Sequence, residues 1–78
     1  MSGSWKVSLR LQLGGRWISV AGPRDALVVM EEAWPSLPGP MCASARKRCY
    51  ESMQIGGVAD TSRKPFIAAA IEAQIFFV

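Results

Sequence analysis

The sequence predicts an α+β fold in the order β-β-α-α-α-β, with an N-terminal β-hairpin and a short C-terminal strand packed on three helices. Three observations lead to this prediction. Residues 5–13 alternate between apolar and polar side chains and precede a glycine pair, three segments between residues 23 and 73 show helical spacing, and residues 75–78 are apolar. Because 78 residues correspond to one domain, we expect residues 1–78 to form a single small α+β domain.

Two independent signals predict the hairpin. Apolar and polar residues alternate from Trp5 to Leu13, and a period of two is typical of a half-buried strand. Gly14-Gly15 then provides the positive φ angles that a two-residue hairpin turn requires. The apolar face of the first strand is expected to carry Val7, Leu9, Leu11 and Leu13, and the expected pairs are Leu11 with Ile18, Leu9 with Val20 and Gln12 with Trp17. The same parity places Trp17 on the polar face of the sheet.

The first helix is expected to begin at Gly22-Pro23 and to end near Trp34. Pro23 suits the first turn because its missing N–H has no helical partner there, and Asp25 is favourable near the positive end of the helix dipole. Pro35 disfavours helical geometry at Trp34, which should stop the helix. We expect the Trp34 ring to cover the core at this break between helices.

Apolar faces predict the second and third helices. The second begins near Pro40-Met41 and is expected to end at Gly56-Gly57, where glycine permits a left-handed cap. A third helix that starts at Thr61-Ser62 keeps Pro65 in its first turn, so no backbone hydrogen bond is lost, and it runs to about Ala73. The buried faces are expected to carry Cys42, Ala45, Cys49 and Met53 in the second helix and Phe66, Ala69, Ala70 and Ala73 in the third.

The last five residues, Gln74-Ile75-Phe76-Phe77-Val78, form an apolar tail. Such a segment is rarely left in water when a sheet edge is near. Because an isolated two-stranded ribbon is only marginally stable, we expect the tail to add a short third strand beside the hairpin.

The composition disfavours catalysis, metal binding and cofactor binding. The chain has no histidine, so the commonest general base is missing and neither Cys42 nor Cys49 has a Cys–His partner. The carboxylates form no recognisable motif, and no glycine-rich phosphate loop is present. Two cysteines without histidine are too few ligands for a structural zinc ion. We therefore expect a protein that is not an enzyme and has no metal or cofactor.

The small size of the chain favours a homodimer. Below roughly 70–80 residues a single core rarely supplies more than ~3–5 kcal/mol, so short chains often add a disulfide, a metal or a partner subunit. Cys42 and Cys49 are seven residues apart in a helical pattern, too far to form a disulfide within one helix.

The start of the chain lacks the apolar run of a secretory signal, and no stretch is long enough to span a bilayer. We expect a cytoplasmic protein with no membrane contact.

The leading functional hypothesis is a non-catalytic protein-interaction module that acts as a homodimer. Trp17 motivates it, because a large aromatic residue lies on a strand face that should be polar and beside open sheet edges. Trp34, Tyr50 and Arg63 are further candidate contacts for an unidentified protein or a small anionic ligand. The helix dipole does not favour a cation at Arg63. Arg63 is therefore expected to bind the carbonyls that end the first helix, a carboxylate such as Asp25, or an anion.

Nucleic-acid binding is the alternative function. Arg46-Lys47-Arg48 is a basic run, although on a helix it fans around the surface. The second and third helices follow the order of a helix-turn-helix, with residues 61–64 at the recognition end. Lys6, Arg10 and Gln12 on the polar face of the hairpin offer a second mode of binding. The net charge of +3 is mild for a nucleic-acid-binding protein.

A set of short pieces in fixed order extends along most of the chain. They are Asp25-Ala26, Trp34-Pro35, Gly39-Pro40, Ala45, Cys49, Arg63, Phe66-Ile67, Ala69-Ala70 and Glu72-Ala73. In these pieces the chain resembles the small alphaproteobacterial (rhizobial) family known as domain of unknown function 982. The resemblance implies a fold and a cytoplasmic setting, and it implies no activity. Pro65 stands where the family has a good helix former, and Gln74 stands where the family often has glycine.

Overall fold

The computed structural model describes residues 3–78 and arranges strands and helices around one apolar core. The elements are β1 (Leu9–Leu13), β2 (Arg16–Val20), α1 (Pro23–Glu32), α2 (Pro40–Ser52) and α3 (Arg63–Glu72), with a 3-10 helix at Ala59–Ser62 directly before α3. The sheet is a two-stranded antiparallel hairpin. The predicted α+β class and the three helices are therefore confirmed for the described residues.

The hairpin has the register that the sequence predicts. Leu11 pairs with Ile18 and Leu9 pairs with Val20. Gly14-Gly15 forms the turn with φ angles of 57° and 78°, which are the positive values that this turn type needs. The alternation of β1 buries Leu9, Leu11 and Leu13. A shift of one residue in the pairing would expose all three.

The first strand is shorter than predicted, because it begins at Leu9 and not at Trp5. Leu9 pairs with Val20, the last residue of β2, so residues before Leu9 have no partner on that strand. Val7, predicted to face the core, is 63% exposed. Residues 3–8 form an N-terminal arm that crosses the end of β2, where the Trp5 N–H donates to the Ala21 carbonyl at 2.7 Å.

Phe66 of α3 is the centre of an aromatic cluster. It is fully buried, and its ring centroid lies 5.7 Å from the ring centroid of Trp5 and 6.0 Å from that of Trp34. The Trp5 indole N–H donates to the Ala59 carbonyl and the Ser62 hydroxyl, both at 3.0 Å. Trp5 is only 5% exposed, so its indole N–H needs hydrogen-bond partners within the protein, and these two bonds supply them. Trp34, half-buried against the core, covers it as predicted.

The second helix ends four residues before the predicted glycine cap. Its last residue is Ser52, whose hydroxyl donates to the Cys49 carbonyl at 2.9 Å. Met53, predicted to be buried, is 41% exposed because it lies beyond the helix. Gly57 has a different role from the predicted one: the loop folds back on the helix end, and a Cβ at Gly57 would collide with the Ser52 carbonyl.

The third helix begins as predicted, with Ser62 at the N-cap position and Pro65 as the third helical residue. Pro65 therefore breaks no helical hydrogen bond. The Ser62 side chain does not cap the helix, since its hydroxyl donates to the Ala59 carbonyl at 2.7 Å and accepts from Trp5. The buried residues of α3 are Phe66, Ala69 and Ala70.

A carboxylate of α3 caps the start of α2. The Glu72 oxygens accept the N–H groups of Met41 at 3.1 Å and Cys42 at 3.2 Å. A negative charge at a helix N-terminus is favoured by the dipole and satisfies N–H groups that have no helical partner. Gly39 leaves room for this contact, because a Cβ there would lie 2.6 Å from the Glu72 carboxylate.

The C-terminal strand that the sequence predicts is not shown as an element of the sheet. The tail instead forms an isolated antiparallel bridge between Phe77 and Leu11. Ile75 is buried and its N–H donates to the Ala70 carbonyl at 2.9 Å, which keeps the start of the tail on α3. Only residues 76–78 reach β1, and this is too short for a strand.

The turn into the tail is strained at Gln74. Its φ of 58° is the only positive φ of a non-glycine residue among residues 3–78. Replacing Gln74 with glycine is expected to raise the free energy of unfolding by about 1 kcal/mol, because glycine adopts this conformation without a Cβ clash. Urea unfolding is the measurement. Gln74→Ala is the control and should bring no gain; stabilisation by alanine would contradict the strain argument.

The contact between Gly39 and Glu72 predicts a non-additive pair of substitutions. Gly39→Ala should displace the Glu72 carboxylate from α2 and lower the free energy of unfolding by about 1–2 kcal/mol, as the loss of a helix cap does. Glu72→Ala removes the same cap. In the double variant the second change should therefore add little. Full additivity in a urea-unfolding cycle would show that Gly39 acts through another contact.

Candidate interaction surface

The uncovered side of the sheet carries the side chains that alternate with the core residues. From the register, Arg10, Gln12, Trp17 and Ser19 lie on this outer face. Because Phe77 faces the core beside Leu11, Phe76 and Val78 of the tail also lie on it. Phe76 and Val78 are each 60% exposed. The outer face is therefore partly apolar, unlike the polar solvated face that is common in antiparallel sheets.

Trp17 is the main feature of the outer face. It pairs with Gln12 as predicted and is 45% exposed. The Trp17 and Phe76 ring centroids are 5.9 Å apart with an interplanar angle of 65°, and the Arg10 guanidinium lies 5.3 Å from the Trp17 ring centroid. An aromatic contact on one side and a cation–π contact on another hold the ring in place without burying it.

The outer edge of β2 has no neighbouring strand among residues 3–78. The N–H groups of Arg10 and Gln12 donate to tail carbonyls at 3.0 and 2.9 Å. The backbone N–H and C=O groups of the even-numbered residues of β1 therefore point away from β2. The hydrogen bonds within the hairpin therefore join the odd-numbered residues of β1 to the even-numbered residues of β2, as in the pair Leu11 and Ile18. It follows that the N–H and C=O groups of Trp17 and Ser19 point away from β1, in the plane of the sheet. We call the side of β2 that carries these groups the open edge.

Both ends of the open edge are closed by other parts of the chain. Beyond it, the Ala21 carbonyl accepts the Trp5 N–H at 2.7 Å, and the Ala21 N–H donates to the Asp25 carboxylate at 3.0 Å. Before it, the Gly14-Gly15 turn reverses the chain. The open edge therefore offers one short segment for pairing, and Pro, Lys or a bulge, which commonly protect edges, are missing from it.

The other predicted contact residues are used within the chain. The Tyr50 hydroxyl donates to Glu31 of α1 at 2.9 Å, and the Arg46 guanidinium is 3.4 Å from the same carboxylate. Trp34 packs on Phe66. In residues 3–78 no hydrogen bond or ring contact joins Trp17 to these side chains. The predicted set therefore does not form one site, and only Trp17 lies on the outer face.

Arg63 ties α3 to the N-terminal arm. Its Nε donates to the Val7 carbonyl at 2.9 Å. The partners expected from the sequence, the end of α1 or Asp25, are wrong, because Asp25 binds the Ala21 N–H and α3 begins beside the arm. A backbone carbonyl 56 positions away leaves no signal in the sequence that would identify it.

Phe76 and Ser19 are further members of this surface. Phe76 reaches the outer face because the period of two along the paired tail puts Phe76 and Phe77 on opposite faces. Ser19 is an ordinary polar strand residue in the sequence. Its importance comes from the edge position of β2, which depends on the side of β1 that the tail occupies.

The two cysteine thiols are buried. Burial raises the pKa of the Cys49 thiol to about 11, while a hydrogen bond with Ser62 acts in the opposite direction. Burial also raises the pKa of the Cys42 thiol, with Arg46 opposing the shift. Both thiols are free, and such thiols are poor nucleophiles near neutral pH.

Three of the six carboxylates serve as acceptors for backbone N–H groups. Asp25, Asp60 and Glu72 each accept at least one such bond. Among residues 3–78, no group of three or more His, Cys, Asp or Glu side chains is placed to hold a metal ion. None of the helices in that range is both long and apolar enough to cross a bilayer.

The predicted recognition end of a helix-turn-helix is occupied by internal contacts. The Thr61 hydroxyl donates to the Val58 carbonyl at 2.7 Å, Ser62 is buried against Trp5, and Arg63 binds the arm. On the hairpin, Arg10 lies over Trp17. Nucleic-acid binding stays a prediction, and these contacts leave it fewer side chains than the sequence suggested.

Comparison with known proteins gives one match. The family model described as protein of unknown function (DUF982) matches residues 6–77. No curated protein and no solved structure matches the chain. The matched range includes both strands, all three helices and the bridge of the tail to β1.

The bond from Arg63 to the arm predicts a structural role for this residue. Arg63→Met is expected to lower the free energy of unfolding by about 0.5–1.5 kcal/mol, the usual net worth of one hydrogen bond. Lys64→Met is the matched control, because it removes a neighbouring exposed cation at the same helix start. Thermal unfolding distinguishes the two variants. Equal melting temperatures would contradict the tie and favour an anion site at Arg63.

Proposed function

Because the chain belongs to the family of proteins of unknown function DUF982, whose description assigns no activity, we propose a function from the geometry of the molecule. The protein is a small, non-catalytic interaction module that acts as a homodimer through its sheet. The observation that carries this proposal is the position of Trp17, a half-exposed aromatic ring on the outermost strand, held by Phe76 and Arg10.

A ring held in this way is suited to binding a partner. Large aromatic side chains dominate the energetics of many interfaces, and a ring that is already fixed loses little conformational entropy on association. Trp17 has two such constraints, the ring contact with Phe76 and the cation–π contact with Arg10. It also lies directly beside the open edge, so backbone and side-chain contacts are available at the same place.

A non-catalytic role is consistent with the chemistry of the side chains. Asp25, Asp60 and Glu72 are occupied by backbone N–H groups. The two thiols are buried with raised pKa values. We place the module in the cytoplasm as part of the same proposal, since free cysteines suit a reducing compartment.

A second copy is the partner that a small fold needs most. A two-stranded sheet is marginal alone, and chains near this length often gain stability by association. Dimerisation would extend the sheet and cover part of Trp17. The same surface on both copies is the arrangement found in most small homodimers.

Sedimentation and light scattering over a concentration series test the homodimer. We expect a mass that rises from the 8.5 kDa of the chain towards twice this value as the protein concentration increases from micromolar to millimolar. Trp17→Thr, which keeps a strand-forming residue, should weaken dimerisation roughly tenfold or more, as loss of an aromatic anchor does.

Ile71→Thr is the matched control for this experiment. Ile71 is 62% exposed on α3 and has no place in the sheet, so its replacement should leave the dissociation constant nearly unchanged. Circular dichroism establishes that both variants keep the fold. A wild-type protein that is monomeric at every concentration, or equal effects of the two variants, would contradict the proposal.

A further inference from the structure

We infer that β2 pairs with the β2 strand of a second copy in an antiparallel arrangement, with the two-fold axis at Ile18. The inference rests on the homodimer proposed above and adds to it the strand, the register and the atoms in contact. It places the interface at the open edge, where the outward N–H and C=O groups of Trp17 and Ser19 lie.

The bonding groups at the edge select the register. An axis at Ile18 sets Trp17 of each copy opposite Ser19 of the other. Each such pair then exchanges two N–H···O=C bonds, because both residues direct their backbone groups outward. The outward groups of Trp17 and Ser19 in both copies then pair with protein groups and no longer with water.

The neighbouring registers leave outward groups without partners. An axis at Ser19 places Trp17 opposite Ala21, whose C=O already accepts from Trp5 and whose N–H already donates to Asp25. An axis at Trp17 places Ser19 opposite Gly15, which belongs to the turn and has a φ of 78°. In neither arrangement do Trp17 and Ser19 both pair with free backbone groups of the second copy.

The side chains at the edge match this register in size and charge. Each Trp17 ring lies on the outer face opposite a partner's small Ser19 side chain, which leaves room for the ring across the new strand pair. Arg16 falls opposite Val20, so the two copies of Arg16 do not face each other. Like charges opposite one another would be destabilising, and residues 9–20 contain no carboxylate to offset them.

The interface is small, which determines how it must be measured. Three residues of strand and one aromatic side chain per copy bury far less than the ~1,200 Å² at the lower limit of stable interfaces. A weak, concentration-dependent dimer is therefore expected. Measurements should extend from micromolar to millimolar protein.

Ser19→Pro tests the pairing without disturbing the hairpin. Proline removes an N–H that points away from β1, and an edge strand tolerates proline where that N–H faces solvent. The homodimer loses two hydrogen bonds and gains a steric obstacle, so we expect the dissociation constant to rise at least tenfold. Ser19→Ala keeps the N–H and is the matched control, with a change of no more than about twofold expected.

Amide hydrogen exchange tests the register in the unmodified protein. The N–H groups of Trp17 and Ser19 should become protected as the protein concentration rises. The N–H of Ile18 is the internal control, because it bonds to Leu11 within the hairpin and should be protected at every concentration.

The outcomes separate this inference from the homodimer itself. Loss of dimerisation in Ser19→Pro but not in Ser19→Ala, with concentration-dependent protection of Trp17 and Ser19, supports the paired strands. A wild-type dimer in which neither effect occurs overturns the paired strands and leaves the homodimer standing. A wild-type monomer overturns both. A monomer whose Trp17 and Ser19 amides become protected only when an extended peptide is added overturns the second copy as the occupant.

Discussion

The aromatic cluster around Phe66 is the interaction on which the arrangement of the chain depends. Phe66 belongs to α3, Trp5 to the N-terminal arm, and Trp34 to the loop between α1 and α2, so one buried ring joins three distant parts of the sequence. The indole of Trp5 adds hydrogen bonds to Ala59 and Ser62 of the 3-10 helix directly before α3. Aromatic contacts of this kind supply much of the apolar burial available to so short a chain.

Local patterns in the sequence were sufficient to predict the hairpin register, the start of α3 and most of the buried faces. Each depends on neighbouring residues: parity around Gly14-Gly15, proline position near Ser62, and helical spacing around Cys49. The errors came from contacts between distant residues. The partner of Arg63, the early end of α2 and the incomplete strand in the tail depend on how the arm and loops pack, and the alternation that includes Val7 gives no sign of where strand pairing stops.

The candidate surface was predictable in part. Trp17 was identified because its parity conflicts with its size, a local inconsistency that marks functional sites in many proteins. Open sheet edges were expected, but the strand that carries the open edge was not predictable, since it depends on the tail pairing with β1 on the side away from β2. Trp34 packs on Phe66, as its expected position over the core implies, and Arg63 binds a backbone carbonyl that belongs to the arm and not to the end of α1.

The Glu72 contact has a consequence for how the helices unfold. The first turn of α2 takes its acceptor from the last residue of α3, 30 positions later in the chain, so the start of α2 is capped only while the end of α3 is folded. Partial opening of α3 would release the N–H groups of Met41 and Cys42 at the same time. The two helices therefore form one cooperative unit, and the loop between them has little opportunity to open while they remain folded.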